Sequence, residues 1–276
     1  MAYSGRALRD VETAGWEITE TLHPEDSATG WHEHEAGHFC LVVAGGLVDE
    51  GGDARRDCGP GALLYFPPGV PHRDRFPHRG ARCLNLRPPG RPACGRDGQD
   101  EGVLHGHGRS PDPSERAGGP AGVYVCESRA SWLASRVYDR IRLDAAVPRR
   151  SLPELGEFLE AARPKPLDPP PETDWLARAR KLIEQSWTDG PRLGTIAGRV
   201  GVSRFHLARK FRERFGCSVG EYVHRLRVTR ARHLLLHSDA SLSHIAFATG
   251  FSDQSHFTRI FGRHVGTPPG RYRNAA

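Results

Sequence analysis

Ile196-Ala197-Gly198-Arg199-Val200-Gly201-Val202-Ser203 returns 49 residues later as Ile245-Ala246-Phe247-Ala248-Thr249-Gly250-Phe251-Ser252. Each copy spells an apolar helix, a turn opened by glycine, and a serine able to cap a following helix. Ile196, Ala197 and Val200 stand at i, i+1 and i+4, one buried helical face. Gly201 supplies the backbone freedom that the turn needs, and Ser203 can accept from the free amides of the next helix. That next helix carries an inward apolar pair, Leu207 and Phe211 in the first copy, Phe257 and Phe261 in the second, where one extra residue is inserted. One such corner is common in small helical bundles; two at matching offsets read as a helix-turn-helix written twice.

With Leu207 and Phe211 inward, Arg204, Phe205, His206, Ala208, Arg209 and Arg212 are left around the outer face. In the second copy Gln254, Ser255, His256 and Arg259 are left to meet bases or phosphates. Arginine can pair bidentately with guanine and glutamine with adenine in the major groove, so these residue types suit direct readout of duplex DNA. Between the copies, Gly216 ends one helix and Ser218-x-x-Glu221 has capping-box form. Val219, Tyr222, Val223 and Leu226 then follow a helical apolar period, extended by Ala231, Leu234 and Leu235. A helix of roughly 20 residues spans about 30 Å, close to the roughly 34 Å of one DNA turn. One chain can therefore reach two successive major-groove segments.

Charge divides the chain in the same place. Residues 172–276 hold 18 Lys and Arg against 8 Asp and Glu, a net of +10, whereas the whole chain is +6, which leaves −4 for residues 1–171. Because phosphate neutralisation dominates non-specific affinity, the basic C-terminal part favours nucleic acid as its partner. Only three of the cations are lysine (Lys165, Lys181 and Lys210), so biased genome composition contributes to the arginine surplus.

The segment from Thr173 to Arg273 resembles the DNA-binding domain of the AraC/XylS transcription regulators. The resemblance rests on Gly250-Phe251-Ser252-Asp253-Gln254-Ser255-His256-Phe257 and on the closing Gly266-Thr267-Pro268-Pro269-x-x-Tyr272-Arg273. It implies seven helices, with two helix-turn-helix units joined by a long one. By position, the base-facing residues of that family fall on Arg204, Phe205, His206 and Arg209, then on Gln254, Ser255 and Arg259. Double-stranded promoter DNA and RNA polymerase are the implied partners, activation the implied sign, and a homodimer the implied assembly.

The N-terminal third has strand grammar. Phe39-Cys40-Leu41-Val42-Val43 and Leu63-Leu64-Tyr65-Phe66 are short apolar runs bounded by Gly45-Gly46, Gly59-Pro60-Gly61 and Pro67-Pro68-Gly69, as in a small antiparallel barrel. His32 and His34 are two apart and would share one face of a strand. The pattern His32-x-His34-x-x-x-His38 followed by Gly46, then Gly61-x5-Pro67-x-Gly69-x-x-His72, resembles the two motifs of the cupins. His38 stands where that family has glutamate, and Phe76 where it has asparagine. The resemblance implies a barrel with His32, His34, His38 and His72 as candidate ligands for zinc, nickel, copper or iron. Without the carboxylate the set is less suited to oxygenase chemistry. A metal-free pocket lined by hydrogen-bonded histidines is the alternative, with a small organic effector in place of the ion.

The chain therefore reads as α+β and multidomain: a cupin-like antiparallel β-barrel over 1–86, a Pro/Gly-rich loop over 87–122, a helical segment over 123–163, a linker over 164–172, and an all-α double helix-turn-helix domain over 173–276. Ser128 to Leu143 and Leu152 to Ala162 are the candidate helices of the middle segment, placed either for a dimer contact or for packing on the barrel. His105-Gly-His107 lies in the loop and reads as surface. The expected function is a one-component regulator in which the barrel senses a small molecule or metal, with no catalytic residue; a cupin metalloprotein or metalloenzyme fused to a DNA-binding domain is the alternative. Six cysteines show no CxxC pair and read as free thiols. No apolar run approaches the roughly 18 residues of a membrane span, and Asp10, Glu12, Glu17 and Glu20 interrupt the start. A cytoplasmic location without a membrane partner is expected.

Overall fold

A computed structural model of the chain describes residues 5–51, 54–77, 80–89, 124–125, 128–143, 152–162 and 174–275. Most of the loop expected at 87–122 (with His105, His107 and Cys94), Cys126, and the linker expected at 164–172 lie outside them.

The strands form two antiparallel sheets. The larger contains β1 (Arg6–Thr13), β2 (Trp16–His23), β9 (Ala81–Arg87), β4 (His38–Gly45), β7 (Leu63–Phe66) and β10 (Tyr124–Val125), in that order across the sheet; the smaller runs β3 (Ser27–Ala28), β8 (Arg73–Phe76), β5 (Leu47–Gly51), β6 (Ala54–Cys58). The apolar runs are continuous, not alternating, because the larger sheet is covered on both faces. On β4, Cys40 and Val42 enter the cluster between the sheets, while Phe39, Leu41 and Val43 point to the outer face; on β7, Leu64 and Phe66 part from Leu63 and Tyr65 in the same way.

That outer face is covered by α1 (Ser128–Leu143) and α2 (Pro153–Ala162). Ala134, Val137, Tyr138 and Phe158 are buried there with Trp16 and Phe39. Seven further helices follow among the described residues: α3 (Asp174–Ser186), α4 (Leu193–Val200), α5 (Arg204–Phe215), α6 (Val219–His237), α7 (Leu242–Ala248), α8 (Gln254–Val265) and α9 (Pro269–Asn274). The two helix-turn-helix units are packed differently. The first has its own core, with Ile196, Val200, Leu207 and Phe211 against Leu176 and Tyr222. The second shares one with α1, α2 and the outer barrel face, through Ile245, Phe257, Phe261 and Tyr272.

α6 joins everything. Its Arg227 donates to the carbonyls of Trp187 (3.0 and 2.9 Å) and Thr188 (3.3 Å) at the end of α3, its Arg232 pairs with Asp139 of α1, and its His233 Nδ1 accepts from the Gly45 amide at the end of β4 at 3.1 Å. Cys40, Cys58, Cys83 and Cys217 are buried free thiols. No helix of the described residues is long and apolar enough to cross a membrane.

Candidate nucleic-acid interface and histidine centre

In the first copy the turn forms as its sequence dictates. Gly201 caps α4 in the left-handed region at φ 76°, and Ser203 accepts from the His206 amide at 3.2 Å to start α5. Leu207 and Phe211 are buried, while Arg204, Phe205 and Arg209 are exposed. His206 is half-buried against Trp175, ring centroids 5.3 Å apart. Phe205 is 72 % exposed, with the Arg204 guanidinium 4.8 Å over its ring. A thymine methyl is an apolar group that such a side chain on a base-reading helix can meet.

The second copy departs from its sequence expectation at the cap. Gly250 takes φ 74° as expected, but Asp253 rather than Ser252 caps α8, accepting from the His256 amide at 2.7 Å. Ser252 instead donates to Asp253 Oδ2 at 2.9 Å and lies 3.1 Å from His256 Nδ1. The inserted residue has moved the cap by one, and the carboxylate also complements the positive end of the helix. Phe257 and Phe261 are buried; Gln254, Ser255 and Arg259 are exposed. Phe247 on α7, 68 % exposed, is a further large apolar group that periodicity did not single out.

In the barrel, His32, His34 and His72 each bring a ring nitrogen within 4.8 Å of the other two. The backbones of His32 and His72 exchange two hydrogen bonds, both 2.9 Å, which sets the two side chains side by side. His32 Nδ1 lies 2.9 Å from the Gly30 carbonyl and His72 Nδ1 3.1 Å from that of Val70. A carbonyl only accepts, so Nδ1 carries the proton on both rings, and Nε2 is the atom left to meet an ion. His72 Nε2 is buried without a hydrogen-bond partner. Burial, then the neighbouring His72 and His32, push His34 down to about 4; burial pushes His72 down to about 4 against the opposing Val70 hydrogen bond. All three features prepare neutral imidazoles for a cation, so the residues fit a metal ion.

His38 is placed apart from that trio. It is buried, its ring 4.3 Å from that of His34 and stacked on Phe66 at 5.0 Å, and it is not among the three convergent nitrogens. Phe76, at the family's asparagine position, stacks on His23 at 3.9 Å. The sequence reading missed Asp74, which lines the same cavity with Cys40, Cys83 and Asn85. Burial first and Asp49 second push its carboxyl up to about 7, and its Oδ1 has no hydrogen-bond partner. The cavity measures ≈ 30 Å³, against the roughly 10–15 Å³ that one water needs.

Comparison with known proteins identifies two segments of the chain. Residues 196–275 match the family model of a helix-turn-helix domain, and residues 18–83 that of a cupin domain. The chain is 42 % identical over 85 residues to the probable transcription factor PqrA of Proteus vulgaris, spanning 31 % of this chain and 70 % of that protein. It is 39 % identical over 100 residues to the HTH-type transcriptional activator RhaS of Escherichia fergusonii, spanning 35 % of this chain and 36 % of that one. A crystal structure of a transcriptional regulator from Chromobacterium violaceum, described as containing an AraC-type DNA-binding domain, is 34 % identical with a TM-score of 0.35, covering 36 % of this chain and 89 % of that one. The chain belongs to the AraC-type helix-turn-helix transcription regulators and carries a cupin domain ahead of its DNA-binding repeat.

Proposed function

We propose that the chain is a sequence-specific DNA-binding transcription activator whose cupin domain senses a divalent metal ion through His32, His34 and His72. The observation that carries the DNA reading is the pair of capped helices, α5 and α8, each buried on one face and each presenting arginine on the other. Arg204, Phe205 and Arg209 read one major-groove segment, with His206 at the edge; Gln254, Ser255 and Arg259 read the next. Activation follows the relative named as an activator, with RNA polymerase as the partner and a homodimer as the working form.

The cavity volume favours an ion over an organic effector, since ≈ 30 Å³ accommodates little more than a solvated ion. A bound ion would supply a positive centre that draws the three imidazoles together. The protein carries that change along β4, which begins at His38 beside the cluster and ends at Gly45 on His233 of α6. α6 connects the two reading helices, so a shift of its seat alters their relative placement.

The test is fluorescence anisotropy on a duplex selected by the protein from a random library, with and without zinc chloride. DNA affinity should change by about 5-fold or more on adding metal, a coupling of about 1 kcal/mol, and the change should be smaller in His34→Ala. Equal affinities in all four conditions would leave a DNA-binding protein without a metal sensor.

A further inference from the structure

Outside the barrel, Glu221, His224 and His264 also converge, each with a ligand atom within 4.8 Å of the other two. Glu221 and His224 stand three apart near the start of α6, on one face of the helix, and His264 comes from the last turn of α8. Glu221 was expected to close a capping box. Its amide does donate to Ser218 at 3.2 Å, but its carboxylate lies toward α8, 3.7 Å from His264 Nδ1 and 3.7 Å from Arg225 Nε. Both separations exceed a hydrogen bond.

The His264 side chain is only 6 % exposed. Its Nε2 has no hydrogen-bond partner, and its ring meets Trp132 of α1 edge-on at 5.1 Å. A nine-tenths-buried imidazole left without hydrogen bonds is a rare expense in a folded protein. Burial, with His224, Arg232 and Arg225 nearby, overrides the opposing pull of Glu221 and pushes its pKa down to about 4; burial also lowers that of His224. Both rings are therefore neutral near pH 7, with lone pairs to give. Two imidazoles and one carboxylate suit zinc and its first-row neighbours, whereas calcium and magnesium prefer oxygen throughout. Glu221 and His264 line a cleft of ≈ 440 Å³ with Trp132, Glu154 and Arg263, through which an ion can arrive.

We propose that Glu221, His224 and His264 form a second binding site, for a divalent first-row transition metal such as zinc, that ties α8 to α6. The Arg225 and Arg232 guanidiniums oppose a cation here, so the Glu221 carboxylate supplies the compensating charge and affinity depends on it most. An ion held by both helices fixes the helix carrying Gln254, Ser255 and Arg259 against the one that leads from α5. The site is independent of the barrel histidines.

Equilibrium dialysis of the metal-stripped full chain against zinc chloride tests it, without DNA. A zinc equivalent should persist in His34→Ala, which disables the barrel centre, and should weaken at least about 10-fold in His224→Gln and in Glu221→Gln. His224 is half-buried, so its substitution leaves the core intact, and a thermal midpoint checks this. In the unaltered chain, zinc should protect His224 from diethylpyrocarbonate, read by mass spectrometry. Wild-type zinc binding in the His224→Gln chain, or His224 labelling indifferent to zinc, would overturn the proposal while leaving the DNA-binding reading untouched.

Discussion

Arg232 on α6 donates through Nε to Asp139 Oδ1 on α1 at 3.0 Å, and through a terminal guanidinium nitrogen, Nη2, to Oδ2. Both side chains are almost wholly buried. The pair lies where the barrel-covering helix meets the helix that links the two DNA-reading units, beside the Gly45–His233 hydrogen bond. The barrel and helix-turn-helix halves are thus held by polar contacts of defined geometry as well as by a shared apolar core.

Asp139→Ala strands a buried guanidinium and should cost about 3–5 kcal/mol in urea unfolding. Replacing both partners, Asp139→Leu with Arg232→Met, should recover most of that loss, because apolar groups of similar size need no pairing. A single-variant loss below about 1 kcal/mol, the range of exposed pairs, would show that the pair is not buried in solution.

The two turn glycines should respond unequally to alanine. Gly201 has φ 76° with nothing within 4 Å of an added Cβ, so only the left-handed backbone is penalised, by about 1–2 kcal/mol. Gly250 has φ 74°, and its Cβ would fall 2.4 Å from the Thr188 carbonyl oxygen. That clash with backbone adds about 1–3 kcal/mol. Equal unfolding midpoints for Gly201→Ala and Gly250→Ala would contradict the close seating of the second turn against the end of α3.

Ser203→Ala and Asp253→Ala each remove a helix cap and should each cost about 1 kcal/mol. Ser252→Ala should cost less, since that hydroxyl caps nothing. If Ser252→Ala proves the more damaging of the two, the cap has been misplaced by one residue.

For the barrel, inductively coupled plasma mass spectrometry should show one metal equivalent fewer than the unaltered chain in His32→Ala, His34→Ala and His72→Ala, but the full content in His38→Phe. His38 stacks on Phe66 and is not among the convergent nitrogens. Loss of metal in His38→Phe with the fold intact would make it a fourth ligand.

What the sequence disclosed depended on how local the signal was. Gly201, Ser203, Leu207 and Phe211 sit within one turn-and-helix, so periodicity and cap chemistry sufficed. The Asp253 cap escaped because a one-residue insertion leaves the Ser252 alignment intact while shifting where helical geometry begins. The pleat of β4 was legible as strand, but which side Cys40 and Phe39 each face depends on α1 and α2 arriving from far along the chain. Asp74 carried no local signal, and only the closing of the barrel buries it in the cavity. Glu221 read as a capping-box member, and nothing local linked it to His264 more than 40 positions away; only the packing of α8 on α6 brings them together.

The central claim, that two helices of one chain read two adjacent groove segments, is tested most directly by selecting binding sites from a random duplex library and comparing variants on the enriched sequence. Two conserved segments should emerge, centred about one helical turn apart, roughly 10 base pairs. Arg209→Ala should weaken binding by about 1–3 kcal/mol and relax preference in one segment only, and Arg259→Ala should do the same in the other. A single segment indifferent to Arg259→Ala, or losses equal on selected and random DNA, would contradict it.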